Sequence, residues 1–125
     1  MLRDHDAVAN LAVRDLNVAQ RFYEGTLGFT PVGRQGDELV MYRSGKTTFN
    51  VYRSKEAGTN RATALTWSVG ENVKAVAQQL KAKGIAFEHY DMPGLTLEGD
   101  VHVGQGVQVA WFKDPDGNIL NIVSG

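Results

Sequence analysis

Apolar positions along this chain recur with two periods, two residues and about 3.6 residues, in an order that appears twice. Val8 to Val13 alternates as a first strand, and Asp15 or Asn17 is placed to cap a helix behind it. Val18, Ala19, Phe22, Tyr23 and Leu27 then form a stripe at helical spacing, and Gly28 stands where a helix ends in a left-handed residue. Extended segments follow at 29–34, 39–42 and 48–52, separated by Gly36-Asp37 and Ser44-Gly45-Lys46. The stretch 53–61 is polar, lacks apolar period and reads as a linker.

Beyond the linker the order returns. Residues 64–69 predict a strand, Asn72 a cap, Val73, Val76, Ala77 and Leu80 a helical stripe, Gly84 its stop, and 85–89 an extended segment. Val69 minus Val13 and Gly84 minus Gly28 both give 56, so the repeat has one offset. The chain closes on Trp111 to Val123, two apolar runs around Asp114-Pro115-Asp116-Gly117-Asn118. Pro115 presets φ, Gly117 accepts a positive φ, and the Asp and Asn side chains bond nearby backbone, which predicts a hairpin. The second repeat also carries an insert, 91–106, of a length often used for lids or binding edges. Within it, 97–103 alternates as a strand would.

These elements predict an α+β chain of 125 residues, one domain made of two βαβββ modules at about 5–55 and 61–125, with the linker at about 53–61. Composition narrows the partners. A hydrophobic share of 42% and a charged share of 22% belong to a globular protein, and a net charge of −1 offers no field for nucleic acid. With no cysteine, disulfide and thiolate chemistry are excluded. The charged start, Met1 to Asp6, lacks the apolar run of a signal peptide, and no run is long enough to span a bilayer, so the expected location is cytoplasmic with no membrane partner.

Leu11-Ala12-Val13-Arg14-Asp15-Leu16, Phe22-Tyr23, Leu27-Gly28-Phe29 and the terminal Asp-Pro-Asp-Gly-Asn turn resemble the vicinal oxygen chelate superfamily, which includes glyoxalases, extradiol dioxygenases and fosfomycin- and bleomycin-resistance proteins. The resemblance covers nearly the whole chain. It implies a curved, cup-like mixed sheet with helices on the outer face, a small-molecule cavity and a homodimer.

In metal-dependent relatives, a His begins the first strand, its counterpart stands in module two, and a carboxylate lies just past the terminal turn. The matching places here, with the module-one mirror of the carboxylate, are Val8, Ala64, Asn121 and Asn50. Two are hydrocarbons and two are neutral amides, poor company for a borderline transition metal. The expectation is therefore no metal and no cofactor, with the cup retained.

Candidate ligand-binding residues are Asn10, Asn50, Tyr52, Thr66, Trp111 and Asn121. Asn50 and Asn121 either face the cavity or satisfy each other or the backbone. By parity with Val8 and Ala64, residues Asn10, Ala12, Thr66 and Ser68 share the cavity face and Trp67 points to the helices, whereas Trp111 fits either side. Tyr42, Tyr52, Trp67, Tyr90, Trp111 and Phe112 are material for an aromatic pocket. Glu98, Asp100 and His102 share one strand face if 97–103 is extended. They are then either a displaced catalytic or metal site, or the wet face of an edge hairpin with Leu97, Val101 and Val103 inward. His5 and His89 read as surface residues. The resulting function is metal-independent binding of a small, partly apolar ligand. The alternative is a glyoxalase-like lyase or isomerase with a non-standard metal or a metal-free acid–base site, in which His102, Glu98, Asp100 or a tyrosine carries the proton transfer.

Overall fold

A computed structural model describes residues 1–125, and in it the chain divides into two compact units, 1–58 and 59–125, the boundary falling inside the expected linker. Ten strands and two helices alternate in an α+β order.

In the first unit, strand β1 (Ala9–Val13) leads to helix α1 (Leu16–Gln20), and Asp15 is the cap: its carboxylate accepts from the N–H groups of Asn17 and Val18. From Arg21 to Thr26 the helix widens into π geometry. Strands β2 (Thr30–Gln35), β3 (Leu39–Ser44) and β4 (Thr47–Arg53) complete a sheet ordered β1-β4-β3-β2, with β1 and β4 parallel. Alternation then sorts the side chains. Leu11, Val13, Val40, Tyr42, Phe49 and Val51 are buried on one face, where Tyr23 of the helix stacks on Tyr42 at 6.0 Å and meets the Phe49 edge at 6.0 Å. The other face carries Asn10, Ala12, Met41, Asn50 and Tyr52, none fully buried. The linker is less indifferent than its polarity implies, since Ala57 is wholly buried.

In the second unit, β5 (Thr63–Ser68) is followed by helix α2 (Val73–Ala82). Asn72 does not cap it with its side chain, because a 3-10 turn over Gly70–Asn72 starts the helix instead. The C-terminus ends as the glycine predicts. Gly84, like Gly28, has positive φ (95° and 81°), and the N–H groups of Gly84 and Ile85 return to the carbonyls of Lys81 and Leu80. That turn consumes Ile85, so the expected extended run 85–89 shrinks to β6 (Phe87–Glu88). Strands β7 (Thr96–Glu98), β8 (Val101–Gly104), β9 (Val107–Lys113) and β10 (Ile119–Val123) build a sheet ordered β5-β10-β9-β8-β7, with β6 also paired to β9.

The 97–103 segment is thus a hairpin turning at Gly99-Asp100, not one strand. A glycine with φ 63° breaks the extended run that alternation alone predicts. The β9–β10 hairpin forms as expected. Asp114 Oδ1 accepts from the N–H groups of Asp116 and Asn118, and its Oδ2 from the Asn118 amide at 2.8 Å. No helix is long and apolar enough to cross a membrane.

Candidate functional site

Strand register builds a matching polar feature on each sheet. In the first unit, parallel pairing sets Asn10 opposite Asn50 and Ala12 opposite Tyr52. In the second it sets Thr66 opposite Asn121, and antiparallel pairing sets Asn121 opposite Trp111. Thr66 lies 56 residues beyond Asn10, the offset read from the glycines, whereas Asn121 lies 71 beyond Asn50 because the second unit carries the insert.

Asn50 donates from Nδ2 to Asn10 Oδ1 at 3.1 Å, while its own Oδ1 is buried without a hydrogen-bond partner. Asn121 is 7% exposed, and its Oδ1 is likewise buried and unpartnered. A buried carbonyl oxygen left unmatched costs about 1–3 kcal/mol. The second unit's less covered face therefore keeps an expensive amide between Thr66 and Trp111, while Leu120 and Ile122 on either side turn to the core.

Aromatic residues divide between the two faces. Tyr42 and Phe112 do not supply a pocket, because both are core residues at 0% and 1% exposure. Tyr42 donates to Glu24 at 2.8 Å; burial raises its phenol pKa above the usual value, and the Glu24 bond raises it further. Trp67 stacks on Phe112, the core side that parity assigned to it. Trp111, left open by the sequence, is on the Asn121 face. Its ring meets His102 edge-on at 4.9 Å and Tyr90 at 5.2 Å, and its Nε1–H donates to Thr63 Oγ1 at 3.1 Å. Tyr52 stays half-exposed on the Asn50 face.

Glu98, Asp100 and His102 are not brought together, because the turn separates them. Glu98 pairs with Lys74 at 2.6 Å. Asp100 pairs with His89 at 2.8 Å and Lys81 at 3.2 Å, so His89, at the surface as expected, has a neighbour that its sequence position gave no sign of. His102 does not lie on a wet face: it is 1% exposed, while Leu97, expected inward, is 42% exposed. His102 Nε2 lies 2.9 Å from the Tyr90 N–H, which donates to it, and Nδ1 lies 3.3 Å from the Val109 carbonyl. With the proton on Nδ1 the ring donates to Val109 and accepts from the Tyr90 N–H, while Nε2 also lies 3.1 Å from the Tyr90 carbonyl. The imidazole thereby ties β8 to the chain leaving β6, along the edge of β9.

The His89 hydrogen bond, reinforced by Lys81, holds the Asp100 carboxyl below its ordinary pKa. The folded state therefore binds this proton less readily than the unfolded chain. The stabilisation is complete above the ordinary carboxylate range and is lost as pH falls through the depressed folded value. Urea midpoints measured downward from about pH 5 should show this slope in the wild type and a shallower one in Asp100→Asn; equal slopes would remove Asp100 from the acid response.

The donor sets at the four metal-equivalent places do not suit a metal. The first unit offers Val8 and the amide of Asn50, and the second offers Ala64 and the amide of Asn121, with no carboxylate or imidazole among them. Nor does any group of three or more His, Asp or Glu side chains converge elsewhere.

A model of the Glyoxalase/Bleomycin resistance protein/Dioxygenase superfamily matches residues 5–122. The chain belongs to this superfamily. Solved structures share the fold at low identity. A glyoxalase family protein from Enterococcus faecalis superposes with a TM-score of 0.74 at 18% identity, covering 99% of this chain and 100% of its own. A bleomycin-binding protein complexed with bleomycin gives 0.70 at 21%, with 97% and 98% covered. Lactoylglutathione lyase from Agrobacterium tumefaciens gives 0.68 at 20%, with 97% and 95% covered. Superfamily membership and topology together make the repeat of strand, helix and strands a glyoxalase-type pair of modules, the second enlarged by β6 and β7.

Proposed function

We propose that this superfamily member is a metal-independent binding protein for a small, partly apolar molecule, held on the sheet face of the second unit that carries Asn121. The observation behind this reading is the Asn121 amide, buried beside Trp111 with its oxygen unmatched. Stability alone favours an apolar side chain there; an amide earns its place by bonding a ligand N–H or O–H. Trp111 and Tyr90 supply apolar ring surface next to it. A bleomycin-binding protein with the same fold supports small-molecule binding, and the amide and hydrocarbon residues at the metal-equivalent places support metal independence. The reading includes a cytoplasmic location and a homodimer, and light scattering tests the second of these directly.

Asn121→Leu discriminates this reading from a purely structural role. It should raise stability by about 1–2 kcal/mol, by removing the unmatched oxygen at similar volume, while lowering ligand affinity at least tenfold. The measurements are urea unfolding and equilibrium dialysis against a panel of aromatic and apolar compounds, with and without EDTA. Ligand should be recovered chemically unchanged, with equal affinity in EDTA. A destabilised Asn121→Leu with unaltered binding, or affinity that disappears with chelator, overturns the proposal. Elemental analysis of protein purified without chelator should find metal far below one equivalent.

A further inference from the structure

A second recess, remote in chemistry from the amide faces, lies within the second unit. It has a volume of about 500 Å³ and is lined by Glu71, Val103, Gly106, Val107, Gln108 and Ser124 among others. Its one charged lining side chain is Glu71, exposed on the 3-10 turn and engaged in no ion pair or hydrogen bond. Gln108 has its backbone fully used by Ser124, whose Oγ accepts from the Gln108 N–H at 2.9 Å and whose N–H donates to the Gln108 carbonyl at 2.9 Å. The Gln108 side-chain Oε1, by contrast, is buried with no partner. The recess thus holds one unspent anionic acceptor beside the apolar surfaces of Val103 and the 45% exposed Val107, while the unspent Gln108 Oε1 is buried rather than open to it.

We infer that this recess binds a primary ammonium group carried on a short apolar chain. An ammonium offers three donors and no acceptor, the complement of a carboxylate and an amide oxygen. The terminal torsion of a glutamine side chain is broad, so a turn about it carries Oε1 from its buried position into the recess. The alkyl part lies on the two valines. An anion is repelled by Glu71, and a neutral alcohol leaves that carboxylate without a charged partner.

The test is a titration of the full chain with n-butylammonium chloride at constant ionic strength, followed by 15N–1H correlation spectra, with n-butanol as the uncharged comparator. Saturable shifts are expected at the Val107 and Gly106 amides and the Gln108 side-chain amide, and n-butanol should be at least tenfold weaker. Glu71→Gln, on an exposed turn, and Gln108→Met, which keeps volume without the acceptor, should each weaken binding at least fivefold while their spectra stay dispersed. The absence of saturation, an equal response to n-butanol, or wild-type binding by either variant overturns the inference.

Discussion

Replacing His102 with alanine should cost the fold about 3–5 kcal/mol, far more than loss of a surface histidine. The ring is 1% exposed and bonded to backbone at both nitrogens. Its removal strands the Tyr90 N–H and the Val109 carbonyl, at about 1–3 kcal/mol for each buried group left unmatched, and opens a gap under the Trp111 ring. Urea unfolding should show a lower midpoint with an unchanged slope. The result also bears on mechanism. The lyase or isomerase alternative needs an acid or base with a free nitrogen facing substrate, and both nitrogens of this ring are committed to the backbone. A His102→Ala protein with wild-type stability and lost turnover would restore the catalytic role.

Phe112→Ala should be as damaging for a different reason. Phe112 is 1% exposed, stacked with Trp67 at 6.4 Å and edge-on to Phe87 at 5.9 Å, so alanine leaves a cavity that three strands cannot close. Such truncations cost about 3–5 kcal/mol, a fall in melting temperature of roughly 10–20 °C. Phe112→Leu should lose about 1–2 kcal/mol. The adjacent Trp111, half-buried and on the other face, supplies the control. Trp111→Ala should be the milder change in thermal unfolding and the more severe in ligand binding. Equal thermal losses at 111 and 112 would contradict the division of faces.

Much of the fold was legible because its signals are local. Helix stops at Gly28 and Gly84 rest on a backbone conformation that glycine reaches without a Cβ penalty, and the terminal hairpin rests on turn chemistry within five residues. The common offset of 56 made the repeat visible, and parity placed Asn10 and Thr66 on the faces they occupy. The insert was less legible. Alternation over 97–103 carried no warning that Gly99 would turn the chain, and that turn disperses Glu98, Asp100 and His102 to three sets of partners.

By itself the sequence determined the α+β order, the two modules, the superfamily and the absence of metal-binding side chains at the usual places. These follow from period, turn residues and donor chemistry, which neighbours along the chain suffice to specify. Only tertiary structure decided which face Trp111 takes, that Tyr42 and Phe112 are core, that His102 is spent on the backbone, and that the Asn50 and Asn121 oxygens go unmatched. The reason is register: side chains alternate with a period of two, so the pairing of distant strands, not the run of residues, selects the face and the partners each side chain meets.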